Sequence, residues 1–233
     1  MAVAAPPFTG FTREGIQFLA DLGANNDRAW FQPRKAAYEQ LLKEPMGALI
    51  VALADRLAAR RIPLRADPKR SPFRIYRDTR FSADKSPYKT HLGASFPWQD
   101  EAGSADDNPH GNGGYFHFQP GEMFVGGGMW MPPKERLDAF RRAIVADPNR
   151  VREALDDPGF VASFGRITPS ETLKRVPPGY PADHAMADRL RWKDVVFGRP
   201  LADGDVLSAD LPDLLADSYA AAMPVFRFLA TLR

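Results

Sequence analysis

Between Lys69 and Gly93 the chain reads K-R-S-P-F-R-I-Y-R-D-T-R-F-S-A-D-K-S-P-Y-K-T-H-L-G. Seven basic side chains (Lys69, Arg70, Arg74, Arg77, Arg80, Lys85, Lys89) stand against Asp78 and Asp84, in a chain whose net charge is only +2. Arginine presents a planar fork that matches phosphate or carboxylate, and lysine a compact charge. Arg74, Arg77, Arg80, Lys85 and Lys89 are therefore the expected binders of an anionic group. Tyr88 would add a hydroxyl or a stacking ring. Asp78 and His117 are the candidate acid/base groups if a reaction takes place there.

The same stretch supports two further readings. Tyr76, Phe81 and Tyr88, interleaved with the charges, could stack on bases in a nucleic-acid-binding module. Alternatively, Asp78 and Asp84 pair with neighbouring cations in an internal salt-bridge network, with the long stems packed on aromatics. A small molecule bearing phosphate or carboxylate is the first expectation. No reaction is named by the residues. G-x-x-x-x-G-K-[ST], G-x-G-x-x-G and G-x-S-x-G are all absent, which removes the support for a P-loop, a dinucleotide fold or a nucleophile elbow. His91, His110, His117 and His184 lack metal-ligand spacing, so no metal and no cofactor is expected. Gly126-Gly127-Gly128 reads first as a crowded or bulged strand, and second as a place of close ligand approach.

With 44% apolar and 26% charged residues, the chain has the composition of a globular protein, and it holds no cysteine. Disulfides and thiolate chemistry are thereby excluded. No apolar run approaches the roughly 18 residues of a membrane span, and the start lacks the pattern of a secretory signal. The expectation is a cytoplasmic protein without membrane contact; no oligomeric state is specified.

Periodicity supplies the elements that would position these groups. Residues 1–7 read as a flexible tail and 8–233 as one domain. Thr12 caps a helix over about Arg13 to Leu22, and Asn25-Asn26-Asp27 offers the next cap. Pro45 opens a helix running to about Arg60, with Leu49, Ile50, Leu53 and Leu57 inward. Strands are predicted over Phe73–Arg77 and Thr90–Phe96, then a mobile polar loop over 99–113. Gly114–Gln119 and Glu122–Met129 form a hairpin about Pro120-Gly121. Phe116 and Phe118 then face Val125 and Met123, while Tyr115, His117 and Gln119 share the other face with Gly126, Phe124 and Glu122. Trp130 and Met131 are expected in the core. A helix follows Pro132-Pro133, one or two more lie within 147–164, a strand is predicted near Leu190–Phe197, and a terminal helix from Leu211 bends at Pro224. This order predicts an α+β fold, a largely antiparallel sheet packed with N-terminal, middle and C-terminal helices.

Four segments carry a resemblance: N-N-D-R-A-W-F (Asn25–Phe31), F-R-I-Y-R-D-T-R-F-S-A-D-K-S-P-Y-K-T-H-L-G (Phe73–Gly93), G-G-Y-F-H-F-Q-P-G-E-M-F-V-G-G-G-M-W-M-P (Gly113–Pro132) and L-R-W-K-D-V-V (Leu190–Val196). Together they resemble the conserved hypothetical proteins grouped as domain of unknown function 2461, over about Phe8 to Arg233. The resemblance implies a single α+β domain of a bacterial kind. It implies no activity and no catalytic residues. Residues 99–113 depart most from the family pattern, so no shared site is placed there.

Overall fold

The computed structural model describes residues 7–80, 82–99 and 111–232. The predicted tail (except Pro7), most of the predicted 99–113 loop, His110 and Phe81 lie outside them.

The chain begins as a helical layer. The Thr12 hydroxyl accepts from the Gly15 N–H at 3.1 Å and starts α1 (Arg13–Ala24), while Asp27 caps α2 (Arg28–Phe31) through the Trp30 N–H at 2.8 Å. Each carboxylate or hydroxyl satisfies a donor that the first helical turn leaves without a partner. A 3₁₀ turn at Gln32–Arg34 leads into α3 (Lys35–Tyr38). A π turn at Glu39–Lys43 follows, closed by the Glu44 N–H donating to the Glu39 carbonyl five residues back. The layer ends in α4 (Glu44–Ala59), whose Leu49, Ile50, Leu53 and Leu57 are buried as their spacing predicts.

Four antiparallel strands follow in the order β1 (Leu92–Pro97), β2 (Asn112–Gln119), β3 (Glu122–Met129) and β4 (Val195–Pro200). The hairpin register is the predicted one, with Phe116 opposite Val125, Phe118 opposite Met123 and His117 opposite Phe124. Strand β2 starts at Asn112, two residues earlier than expected. Its buried side-chain amide is anchored by donating to the Phe226 carbonyl at 2.7 Å.

The middle helices are α5 (Lys134–Ala146), α6 (Pro148–Leu155), α7 (Pro158–Phe164) and α8 (Ala187–Leu190); α9 (Asp203–Leu207), α10 (Leu211–Ala221) and α11 (Met223–Ala230) close the chain. The terminal helix is split, as Pro224 predicts, with the break at Ala222. Gly114 and Gly127 let α10 and α11 lie against the sheet. A side chain at Gly114 would meet the Tyr219 ring at 2.8 Å, and one at Gly127 the Phe226 ring at 2.9 Å. The glycine triplet is thus a crowded strand. Arg56 of α4 and Arg60 at its C-cap pair with Asp213 and Asp217 of α10 at 2.8–2.9 Å, largely exposed contacts that orient more than they stabilise. The result is an α+β fold with one contiguous hydrophobic core. Among the described residues no helix is long and apolar enough to cross a membrane.

Three expectations are corrected. Phe73–Arg77 is no regular strand: it carries only isolated bridges, Pro72 to Ala94 and Tyr76 to Tyr88, and of its side chains Ile75 alone is buried. Trp130 and Met131 stand exposed. The last strand begins at Val195: Leu190 ends α8, Trp192 makes an isolated bridge to Thr172, and the buried Arg141 guanidinium donates to the Leu190 and Trp192 carbonyls at 2.9 and 3.1 Å. Those carbonyls are thereby spoken for before the sheet begins.

Candidate anion-binding site

The site is built by a turn that sends the basic segment along the sheet edge. The Asp67 carboxylate accepts from the Lys69 N–H at 2.8 Å, and the buried Ser71 hydroxyl accepts from the Asp67 N–H at 3.0 Å. The Ser95 N–H then donates to the Ser71 carbonyl, and the Phe73 N–H to the Gly93 carbonyl, both at 2.9 Å, which pins the segment to β1. Further on, the Lys89 N–H donates to the Ile75 carbonyl at 2.7 Å and the Arg77 N–H to the Pro87 carbonyl at 3.0 Å. The backbone is thereby fixed on both sides.

Between this segment and the α3–π turn–α4 wall lies a groove of about 600 Å³. Phe31, Tyr38, Met46 and Ile75 give it an apolar floor, with Phe73 and Tyr76 at its rim. Its charged groups are Lys35, Lys43, Lys69 and Arg74 against the single carboxylate of Glu39. Lys43 and Glu39 are 3.7 Å apart. Among the described residues, Lys35, Lys69 and Arg74 have no carboxylate within ion-pair distance. Behind the rim, Lys89 Nζ sits 4.9 Å from the centre of the Phe73 ring. Burial first, and then the Arg74 charge, lowers the basicity of Lys89.

Of the residues singled out in the sequence, the structure places Arg74 in this groove and Lys89 directly behind it. Tyr88 forms part of the core beneath, stacked on Phe31 at 4.1 Å, its backbone held at both N–H and C=O by the Asn26 side chain. The others form a local network on the following loop. Arg77 bonds Asp84 and the Ser86 carbonyl, Arg80 pairs with Asp78 at 2.7 Å, and Lys85 donates to the Thr79 carbonyl at 2.9 Å. From the sequence, Lys35 and Glu39 are expected to face water or a partner, and neither they nor Lys43 are read as part of a site. Their spacing of four, which lines up one helix face, was the available signal.

The two acid/base candidates do not meet. Hydrogen bonds from Arg80 hold the Asp78 carboxyl down at about 2; Ser86, and after it Arg77, do the same for Asp84. Asp78 is thus a fixed anion at neutral pH. His117 is buried on the outer sheet face, its ring between His91 (4.6 Å) and Phe124 (4.8 Å). Its Nδ1 lies 2.9 Å from the Tyr115 hydroxyl, which burial keeps protonated by raising its pKa to about 12. Either tautomer of the ring satisfies this hydrogen bond, and Nε2 is a buried atom. Burial lowers the His117 pKa, against the opposing pull of Glu122 and Gln119. His91 is brought down to about 4 by burial, then by His117 and Lys89. Gly93 leaves the space that the Tyr115 hydroxyl and the Phe73 ring fill, so the histidine pair backs the groove without lining it.

This pair predicts an acid-sensitive step. A histidine whose folded pKa lies below its unfolded value contributes stability that is complete above about 6.5 and is lost as pH falls toward about 4. Urea midpoints are expected to fall across that window, and to fall less in His91→Gln. Parallel curves for the two proteins would show that His91 is not held neutral by the fold.

Among the described residues no group of three histidine, aspartate or glutamate side chains is arranged to hold a metal ion. Comparison with curated proteins and with solved structures gave no match. A family model described as "Conserved hypothetical protein (DUF2461)" matches residues 14–228. That span holds the whole sheet and every groove residue, and the chain belongs to this family.

Proposed function

We propose that this protein binds a small molecule bearing phosphate or carboxylate, seated in the groove between the α3–α4 wall and the 67–76 segment. The observation that carries the reading is the convergence of Lys35, Lys69 and Arg74 on one concave surface, none with a carboxylate within ion-pair distance among the described residues. Cations held near one another repel, and an anion between them relieves that repulsion and gains charge-assisted hydrogen bonds. The groove's volume lies within the roughly 300–1,000 Å³ of small-molecule sites. A cytoplasmic setting, expected from the sequence, belongs to the same proposal. The engagement of Arg77 and Arg80 with Asp84 and Asp78 favours this reading over nucleic acid, since it removes two cations from any extended basic track.

Thermal unfolding tests it. A ligand at ten times its Kd stabilises by about 1.4 kcal/mol, or roughly 3–6 °C for a protein of this size. Phosphate is expected to raise Tm by that order over chloride at equal ionic strength. Lys69→Ala combined with Arg74→Ala should abolish the difference, and Arg77→Ala combined with Arg80→Ala should retain it. Equal shifts in the two salts would defeat the proposal.

A further inference from the structure

We infer that the ligand of this groove carries an aromatic ring beside its anionic group, an inference that rests on the anion reading above. Few large apolar side chains are exposed among the described residues, and two of them, Phe73 (36%) and Tyr76 (46%), stand at this rim. Loose ends do not explain that exposure. The backbone hydrogen bonds of Phe73, Ile75 and Arg77 fix the segment that carries both rings.

Each ring is also supported from behind. Phe73 packs against Tyr115 at 6.1 Å and carries the Lys89 ammonium over its face. Tyr76 lies 5.5 Å from Tyr88, which in turn stacks on Phe31 in the groove floor. A planar guest at the rim would extend this aromatic series without first ordering it, so little conformational entropy is lost on binding.

A third observation is polar. Tyr38 lines the groove at 8% exposure, and its hydroxyl has no hydrogen-bond partner among the described residues. Burial and the nearby Tyr76 raise its pKa to about 12, so it is a standing donor. Presented to the groove, this hydroxyl is placed to donate to a ring or ester oxygen of the guest. Cations, stacking rings and a phenolic donor together match a phosphate ester that carries an aromatic ring, of which phenyl phosphate is the simplest form.

Calorimetric titration of the intact protein with inorganic phosphate, cyclohexyl phosphate and phenyl phosphate tests this. Phenyl phosphate is expected to bind about fivefold or more tightly than cyclohexyl phosphate, the factor that aromatic pairing adds beyond buried area. In Phe73→Leu and Tyr76→Leu, both at exposed positions, that ratio should approach one. Equal affinity for the two esters, with inorganic phosphate still bound, would overturn the aromatic inference and leave the anion reading standing. Failure of all three to bind would remove both. Tighter binding of single-stranded DNA, with steep salt dependence, would put nucleic acid in place of the small molecule.

Discussion

Gly128→Ala is expected to destabilise the protein by more than about 4 kcal/mol, a size confined to a few mechanisms, of which two act together here. Gly128 has φ +110°, a backbone conformation that side-chain-bearing residues rarely adopt, at a cost of about 1–3 kcal/mol. A methyl group there would also lie 2.0 Å from the Val195 carbonyl oxygen, a contact that no rotamer change relieves because both atoms belong to the paired β3 and β4 backbones. The strands must part or the helix-facing side must shift. Gly204→Ala provides the control. It sits in α9 with open space around it, and alanine there should be neutral or stabilising by up to about 1 kcal/mol. Denaturant titration of both variants decides the matter. A Gly128→Ala protein within 1 kcal/mol of the parent would mean that β4 does not pair as described.

The second large effect lies at Phe118, which should cost about 3–5 kcal/mol when cut to alanine. Its side chain is fully buried, and its ring stacks on Phe11 at 4.4 Å, so the N-terminal segment loses its seat on the sheet along with the core contacts. One residue earlier, His117 looks in the sequence like an open-face residue whose truncation costs under about 1 kcal/mol. The structure changes that expectation. His117 is buried between His91 and Phe124, and losing its stack and its bond to Tyr115 should cost about 1–2 kcal/mol. The order is still Phe118 over His117. Denaturation midpoints in the opposite order would mean that β2 faces the other way.

That contrast shows what could be read from the sequence and what could not. Alternation along Gly114–Gln119 set which side chains share a face, because strand geometry leaves only two choices. Caps at Thr12 and Asp27 were readable because they act over three residues. Burial of the outer face was not, since its cover comes from His91 and from Phe73, outside the hairpin. The groove was hidden for the same reason: Lys35 and Lys43 belong to the helical layer, Lys69 and Arg74 to the turn leaving it, and only tertiary packing sets them face to face. The basic stretch could not show that Asp78 and Asp84 would claim Arg80 and Arg77. Nor could it show that Tyr88 would turn inward. The Leu190–Phe197 segment read as strand throughout because the groups that hold its first half, Arg141 and Thr172, lie outside it in the sequence.

The π turn at Glu39–Lys43 sets the phase of the groove's helical wall. A hydrogen bond spanning five residues instead of four inserts one extra position into the winding. At 3.6 residues per turn, that single position rotates everything before it by about 100° relative to α4. Lys35 and Tyr38 look across at Lys69 and Arg74 by virtue of a count, independent of their own chemistry. A relative one residue shorter within 39–43 would turn a different face of α3 toward the same opening and would have to repack Phe31 and Tyr38. Groove chemistry across the family is therefore to be compared by chain length at this turn before it is compared by residue type.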